Sequence, residues 1–172
     1  MNILFICHSL IEFFDWQGRF PDHKVANLGV AGETVEGLLA RIDRTIKKHP
    51  SADLIFLVTG LNNIAMEDFK FFDSYKKIIE KLSCAYPNAR IFVNSVLPTL
   101  ILEFIPDKWI QDVNISLKKL ARDVGVEFLD IYRHFIDGQG KAIKDLFLDD
   151  GVHLSERGYG VWTNTIEGII NQ

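Results

Sequence analysis

The feature that most constrains the fold of this sequence is a series of short apolar runs that alternate with longer amphipathic segments. Runs of this kind are typical of strands that are buried on both faces, as in a parallel sheet. The strands that they predict span residues 3–7, 24–28, 53–58, 90–96 and 126–129.

The intervening segments repeat their apolar residues at spacings of three and four, which predicts helices with one buried face. The predicted helices span residues 34–48, 67–82, 108–124 and 155–170. Strands that alternate with helices of this length indicate crossover connections. The sequence therefore predicts an α/β fold, a three-layer α/β/α sandwich with about five parallel strands. Because no linker or repeat divides residues 1–172, we expect a single domain.

Charge and hydropathy exclude several classes of partner. The net charge is −4 with acids and bases interspersed, which argues against nucleic acid and anionic membranes. No apolar run approaches the roughly 18 residues of a membrane span, and the first apolar run lacks a basic leader and breaks at His8 and Ser9, so we expect no signal peptide and a cytoplasmic protein. Cys7 and Cys84 show neither metal-ligand nor disulfide spacing, and we expect both to be buried thiols.

Near the carboxyl end, a glycine-containing turn places an acid three residues before a histidine, Asp150 and His153. In such a turn the carboxylate can fold back onto one imidazole nitrogen and leave the other free to act as a base. Asp149 is the competing acid, and the spacing favours Asp150. A base of this kind requires a nucleophile elsewhere in the chain.

Polar and small residues follow the first three predicted strands, namely Ser9, Gly29 and Asn62. Sites in open parallel sheets gather at the carboxyl ends of the strands, where these residues are expected. Taken singly, Ser9 is a helix cap and Gly29 and Asn62 are turn residues. Taken together with His153, they favour a nucleophile with donors for an oxyanion.

This set of residues resembles the motif blocks of the SGNH hydrolase (GDSL-type esterase/lipase) family, in family order and over nearly the whole chain. The residues that carry the resemblance are Ser9, Gly29, Asn62, Asp150 and His153. The resemblance implies a flavodoxin-like sandwich and a serine that hydrolyses small or medium acyl esters, O-acetylated carbohydrates among them. It implies a small-molecule ester substrate, and neither a metal nor a cofactor.

The resemblance also implies a role for each of these residues. Ser9 is the nucleophile, His153 the base and Asp150 the residue that orients it. The amides of Ser9 and Gly29 and the side-chain amide of Asn62 form the oxyanion hole.

The sequence departs from the family at two places. Cys7 and His8 stand where the family has Gly-Asp before the serine, and Asn63 replaces the acid that follows the family asparagine. We interpret Asn63 as structural and assign His8 a structural or rim role. The change before Ser9 motivates an alternative hypothesis, a binding module that keeps the pocket without turnover.

An apolar stretch at residues 97–106 follows the fourth strand and is too long for an ordinary loop. It either lines an acyl pocket or forms a cover or partner surface. Phe13, Phe14 and Trp16 join this pocket or pack in the core, and the sequence leaves both alternatives open.

The sequence lacks the motifs of two other functions that the predicted fold allows. A small tyrosine phosphatase requires an arginine six positions after its cysteine, where this chain has Phe13. A flavodoxin-type FMN binder requires a Ser/Thr-rich phosphate loop after the first strand, and none is present.

Overall fold

The computed structural model describes residues 1–171, with Cys7 described by its backbone alone. The strands are β1 (Asn2–Cys7), β2 (Lys24–Gly29), β3 (Leu54–Val58), β4 (Arg90–Asn94) and β5 (Glu127–Leu129). The α-helices are α1 (Ser9–Glu12), α2 (Trp16–Arg19), α3 (Val35–Lys48), α4 (Leu61–Ala65), α5 (Phe72–Ala85), α6 (Asp107–Val124) and α7 (Glu156–Ile170). Two 3₁₀ turns, Tyr132–His134 and Lys144–Leu146, precede α7.

All five strands pair in parallel, in the order β2-β1-β3-β4-β5. The predicted parallel α/β sandwich is thereby confirmed. At the carboxyl edge, Cys7 of β1 lies opposite Gly29 of β2 on one side and Val58 of β3 on the other. The segment after β1 consequently begins between the segments that follow β2 and β3.

Alternate residues of each central strand enter different cores, as the two-residue period of a strand requires. Ile6 and Leu57 pack into the core beneath α3, α5 and α6, whereas Phe5 and Phe56 pack into the core beneath α2 and α7. All five residues of β3 are buried, which explains why this central strand is a continuous apolar run.

Side-chain caps fix the starts of two helices, α3 and α7. Thr34 accepts a hydrogen bond from the Gly37 amide at the start of α3, and Ser155 accepts one from the Gly158 amide at the start of α7. Each cap satisfies an N–H group that has no partner within its helix.

The predicted helix at 67–82 is wrong at its start. Glu67 takes a positive φ of 56°, which a right-handed helix does not allow, and α5 begins only at Phe72. The short helices α1, α2 and α4 are also absent from the prediction, because segments of four or five residues are too short to show a helical period. The prediction of a buried Cys84 is wrong too, since that thiol is exposed, and the side chain of Cys7 lies outside the described residues.

Within residues 1–171, no helix is both long enough and apolar enough to cross a membrane.

Candidate active site

The structure brings Ser9, His153 and Asp150 into one hydrogen-bonded row. His153 Nε2 lies 2.9 Å from Ser9 Oγ, and His153 Nδ1 lies 2.6 Å from Asp150 Oδ2. An ionised carboxylate only accepts hydrogen bonds, so Nδ1 carries the proton and Nε2 is the acceptor for the serine hydroxyl. Residues 144 positions apart in the sequence therefore form the geometry of a nucleophile with its base.

Backbone amides of the turn at 150–153 hold the Asp150 carboxylate in place. Asp150 Oδ1 accepts hydrogen bonds from the amides of Val152 and His153, both at 2.9 Å, and Gly151 supplies the positive φ that the turn needs. It is Asp150, and not the exposed Asp149, whose carboxylate reaches the imidazole.

The Asp150 carboxylate is strongly favoured over its protonated form. Partial burial raises its pKa, but the hydrogen bonds from the Val152 amide, the His153 ring and the His153 amide outweigh burial and bring the pKa of Asp150 to about 2. Asp150 therefore stays ionised at neutral pH and can stabilise an imidazolium at His153.

Helix α1, which begins with Ser9, is fixed by bonds to its backbone carbonyls. The Tyr159 hydroxyl donates to Leu10 O at 2.9 Å, and Trp16 Nε1 donates to Ile11 O at 2.9 Å. Asn27 Nδ2 donates to the carbonyl of Ile11 at 2.8 Å and to two neighbouring carbonyls. Three separate elements thus fix the position of the serine.

Gly29 is required because the backbone of α1 lies directly against it. A Cβ at this position would stand 2.3 Å from Glu12 N and 2.9 Å from His8 O. The close approach is therefore to the protein's own backbone. The Gly29 amide already donates to Asn27 Oδ1 at 3.1 Å, so it could serve an oxyanion only by sharing its hydrogen between two acceptors.

The loop between β2 and α3 holds the Asn62 side chain. Its Nδ2 donates to Glu33 O at 2.9 Å, and a side-chain amide has a second hydrogen for another acceptor. Glu33 is in turn fixed by a largely buried ion pair with Arg41, whose Nη2 also donates to Leu28 O at 2.8 Å.

Asn63 has a structural role, as the sequence suggested. The side chain is buried, accepts from the Val35 amide and donates to Glu36 and Asp68. It therefore joins α4 to the start of α3.

Sequence reasoning missed Asn27, Glu33 and Arg41, which position the candidate residues. Glu33 and Arg41 are eight residues apart, and their pairing depends on the path of the loop after β2. Asn27 lies within a predicted strand and carries no motif. No local pattern in the sequence could have indicated these contacts.

His8, next to Ser9, is buried and does not lie at the rim of the candidate site. Its ring is 3% exposed, and among residues 1–171 its Nδ1 finds no hydrogen-bond partner. Burial, with a smaller contribution from a protonated His153, lowers the pKa of His8 to about 4. The ring is therefore neutral at pH 7.

Because His8 titrates at lower pH in the folded chain than in the unfolded chain, protons favour unfolding below pH 6.5. We expect the free energy of unfolding to be independent of His8 above pH 6.5 and to fall by roughly 3 kcal/mol as the pH is lowered to about 4. Urea unfolding of the wild type and of His8→Gln across this range measures the effect. The variant should lose this decrease and keep only the pH dependence that other groups with lowered pKa values contribute, His49 and Asp150 among them. His134→Gln, at an exposed position, should keep the full decrease. An unchanged slope in His8→Gln would show that His8 is not the group responsible.

The apolar stretch at 97–106 packs against the turn that carries Asp150 and His153. Leu97 and Ile105 enter the two cores, and Leu100 N donates to Gly151 O at 2.8 Å. Leu102 and Phe104 are exposed. Leu100 and Ile101 therefore pack against the turn at Gly151.

The three aromatic residues after Ser9 have three different environments. Trp16 is completely buried, Phe14 stacks on Tyr159, and Phe13 stays exposed beside the His153 ring. Of the three, Trp16 and Phe14 pack inside, and Phe13 alone faces the site.

A parallel α/β sheet with a serine, histidine and aspartate in hydrogen-bonded order at its carboxyl edge defines a class, the α/β serine hydrolases. The sequence model of the GDSL-like Lipase/Acylhydrolase family matches residues 14–161, and the chain belongs to this family. It is thus an acylhydrolase of a family of carboxylic ester hydrolases. The matched stretch includes His153 and Asp150 and begins after Ser9.

Two curated relatives are similar over almost the whole chain. An N-acylneuraminate cytidylyltransferase of Escherichia coli O18:K1:H7 (strain RS218 / NMEC) is 26% identical over 98% of this chain and 40% of its own length. The platelet-activating factor acetylhydrolase IB subunit alpha2 of Rattus norvegicus is 25% identical over 99% of this chain and 76% of its own length. The chain therefore spans less than half of the first relative and about three quarters of the second.

A solved structure of a protein from Streptococcus pneumonia, whose description refers to platelet activating factor, superimposes with a TM-score of 0.87. It is 27% identical, with 98% of this chain and 83% of that chain covered.

Proposed function

We propose that the chain hydrolyses short acyl esters, O-acetyl esters of carbohydrates among them, through an acyl-enzyme on Ser9. The observation that carries this proposal is the row of contacts from Ser9 Oγ through His153 to Asp150, at 2.9 and 2.6 Å. A serine hydroxyl becomes an effective nucleophile when a base takes its proton during attack, and His153 is in hydrogen-bond reach of that proton.

In the first half of the reaction, Ser9 Oγ bonds to the acyl carbon while its proton passes to His153 Nε2. The imidazolium then gives this proton to the leaving alcohol oxygen as the carbon–oxygen bond of the ester breaks. In the second half, a water molecule gives a proton to His153 and its oxygen bonds to the acyl carbon. The bond between that carbon and Ser9 Oγ then breaks, Ser9 takes the proton back from His153, and the carboxylic acid leaves. Asp150 stays ionised throughout and stabilises the imidazolium.

The negative charge on the carbonyl oxygen needs donors, and two of the three candidates have a hydrogen available. The Ser9 amide lies in the first turn of α1, where no carbonyl of the helix can reach it. Asn62 has its second amide hydrogen. The Gly29 amide, bonded to Asn27, would contribute by sharing its hydrogen. A preorganised donor of this kind contributes roughly 3 to 4 kcal/mol to transition-state stabilisation.

The preference for a short acyl group rests on the openness of the site and on the relatives. The side chains of His153 and Asp150 are 29% and 50% exposed, and the apolar stretch at 97–106 uses Leu97 and Ile105 in the cores. A long acyl chain gains binding energy only where apolar walls enclose it. One relative is named an acetylhydrolase and another is named for N-acylneuraminate, a sugar acid, which supports an acetyl ester on a carbohydrate.

A series of p-nitrophenyl esters with a fixed alcohol tests the acyl preference. We expect kcat/KM to be highest for acetate, to fall for butyrate, and to fall by at least about tenfold for octanoate, because the longer chains find little enclosure. A preference for octanoate would contradict the short-acyl assignment.

A fluorophosphonate probe followed by peptide mass spectrometry tests the nucleophile in the same preparation, and the label is expected on Ser9. Absence of label in the folded protein would favour the binding module without turnover, for which His8 in place of the family's acid is the motivating observation.

A further inference from the structure

Phe13 occupies an unusual position for an exposed aromatic residue. Its amide donates to Ser9 O at 3.0 Å, so it lies one helical turn after Ser9 and on the same side of α1. Its ring is 62% exposed, although the next aromatic residues, Phe14 and Trp16, pack inside. A large apolar surface is therefore left open to water beside the serine.

The Phe13 ring also lies against the imidazole of His153. Their ring centroids are 5.5 Å apart, with the planes tilted by 46°. Because His153 Nε2 is 2.9 Å from Ser9 Oγ, the aromatic ring, the base and the nucleophile meet at one point on the surface. Any ester that bonds to Ser9 must come close to the Phe13 ring.

The chemistry of the histidine decides which half of the ester lies there. To protonate the leaving group, His153 Nε2 must be within hydrogen-bond distance of the alcohol oxygen of the ester. The alcohol half is thus held on the His153 side of the site, where Phe13 lies, whereas the carbonyl oxygen turns towards its amide donors. We propose that the exposed Phe13 ring is the binding surface for the alcohol half of the ester and selects alcohols that have an apolar ring face.

This inference rests on the proposed function and adds the class of alcohol to it. The face of an aromatic ring offers dispersion contacts to C–H groups over a flat area, and it has no polar group to bind a small alcohol. A pyranose ring, with C–H groups along one face, fits that surface, whereas an ethyl group covers little of it. The neutral ring also adds no charge that would select an acidic or basic alcohol.

The test compares two acetates whose alcohols leave from a primary carbon, ethyl acetate and methyl 6-O-acetyl-glucopyranoside, by pH-stat titration of the acetic acid released. For Phe13→Ala we expect kcat/KM to fall by about fivefold on the sugar acetate and by less than about twofold on ethyl acetate. The loss should lie in KM, because both substrates form the same acetyl-enzyme. Phe13→Tyr should keep the wild-type ratio of the two substrates.

Two controls separate a contact with the alcohol from an indirect effect. Ile115→Ala removes another highly exposed apolar side chain, from α6, and should change neither rate. The ratio of p-nitrophenyl acetate to p-nitrophenyl butyrate should be the same in Phe13→Ala and in the wild type, because the acyl half lies away from the ring.

Equal losses on both acetates, or no loss on either, would overturn the inference, and so would a change confined to the acyl ratio. In each of these cases the wild type is active and labelled at Ser9, so the proposed function stands. A wild type that hydrolyses none of these esters and takes no fluorophosphonate label would remove the proposed function and the inference with it.

Discussion

Replacing Ser9 by alanine is expected to lower kcat for p-nitrophenyl acetate by about 10⁴-fold or more, because the acyl group then has no oxygen to bond to. The side chain is small and partly exposed, so the variant should fold with near wild-type stability. Initial rates of p-nitrophenol release measure the loss. Ser116→Ala, on α6, is the matched control and should keep full activity.

The double variant Ser9→Ala/His153→Ala gives a sharper test of the same assignment. Residues that act as one unit lose their effect together, so adding His153→Ala to Ser9→Ala should cost little further activity. If the two losses multiplied, or if Ser9→Ala alone kept more than about a tenth of the wild-type rate, Ser9 and His153 would not act as a nucleophile and its base.

The parallel sheet could be predicted because each central strand is buried on both faces. Phe5 and Ile6 enter different cores, so the run that contains them must be apolar throughout. The helix starts predicted at residues 34 and 155 coincide with the side-chain caps Thr34 and Ser155, since a helix start needs a side-chain acceptor near its first N–H groups.

The candidate site could be predicted in part because topology places the ends of β1, β2 and β3 side by side. Gly29 is the last residue of β2, and Ser9 and Asn62 lie two and four residues after the ends of β1 and β3. The acid–histidine spacing is local. What surrounds them could not be predicted, because it depends on contacts between distant segments. Asn27 donates a hydrogen bond to a carbonyl of α1, and Tyr159 of α7 donates one to Leu10 O. Neither contact can be inferred from the spacing or the composition of the sequence.

The residues after Ser9 show most directly what the sequence could not predict. Phe13 and Phe14 are adjacent and identical in type, yet Phe13 is exposed beside the His153 ring and Phe14 stacks on Tyr159. The direction of each ring follows from the end of α1, and that four-residue helix is too short for its period to appear in the sequence. The same limit hid the start of α5, where the positive φ of Glu67 interrupts an apparently continuous helical pattern.

Gly29 connects the fold to the site, and its replacement by alanine is expected to have the second largest effect. The new Cβ would stand 2.3 Å from Glu12 N and 2.7 Å from Glu12 Cα, which are backbone atoms that cannot rotate away. Helix α1 must therefore move, and Ser9 moves with it relative to His153. A displacement of about 1 Å at a reacting group can cost on the order of 10²-fold in rate, and overpacking of this kind costs about 1 to 3 kcal/mol of stability.

We expect kcat/KM of Gly29→Ala to fall by about 10²-fold at a temperature where the variant is still folded. Circular dichroism would establish the folded fraction, and the rate of fluorophosphonate labelling would show whether the serine has lost its base. Gly138→Ala is the matched control, since no heavy atom lies within 4 Å of a Cβ there, and it should match the wild type in both assays. Wild-type labelling in Gly29→Ala would mean that α1 can move without separating Ser9 from His153, in which case the contact at Gly29 serves stability alone. Slow labelling in a folded variant would instead show that the close packing of β2 against α1 holds Ser9 in place.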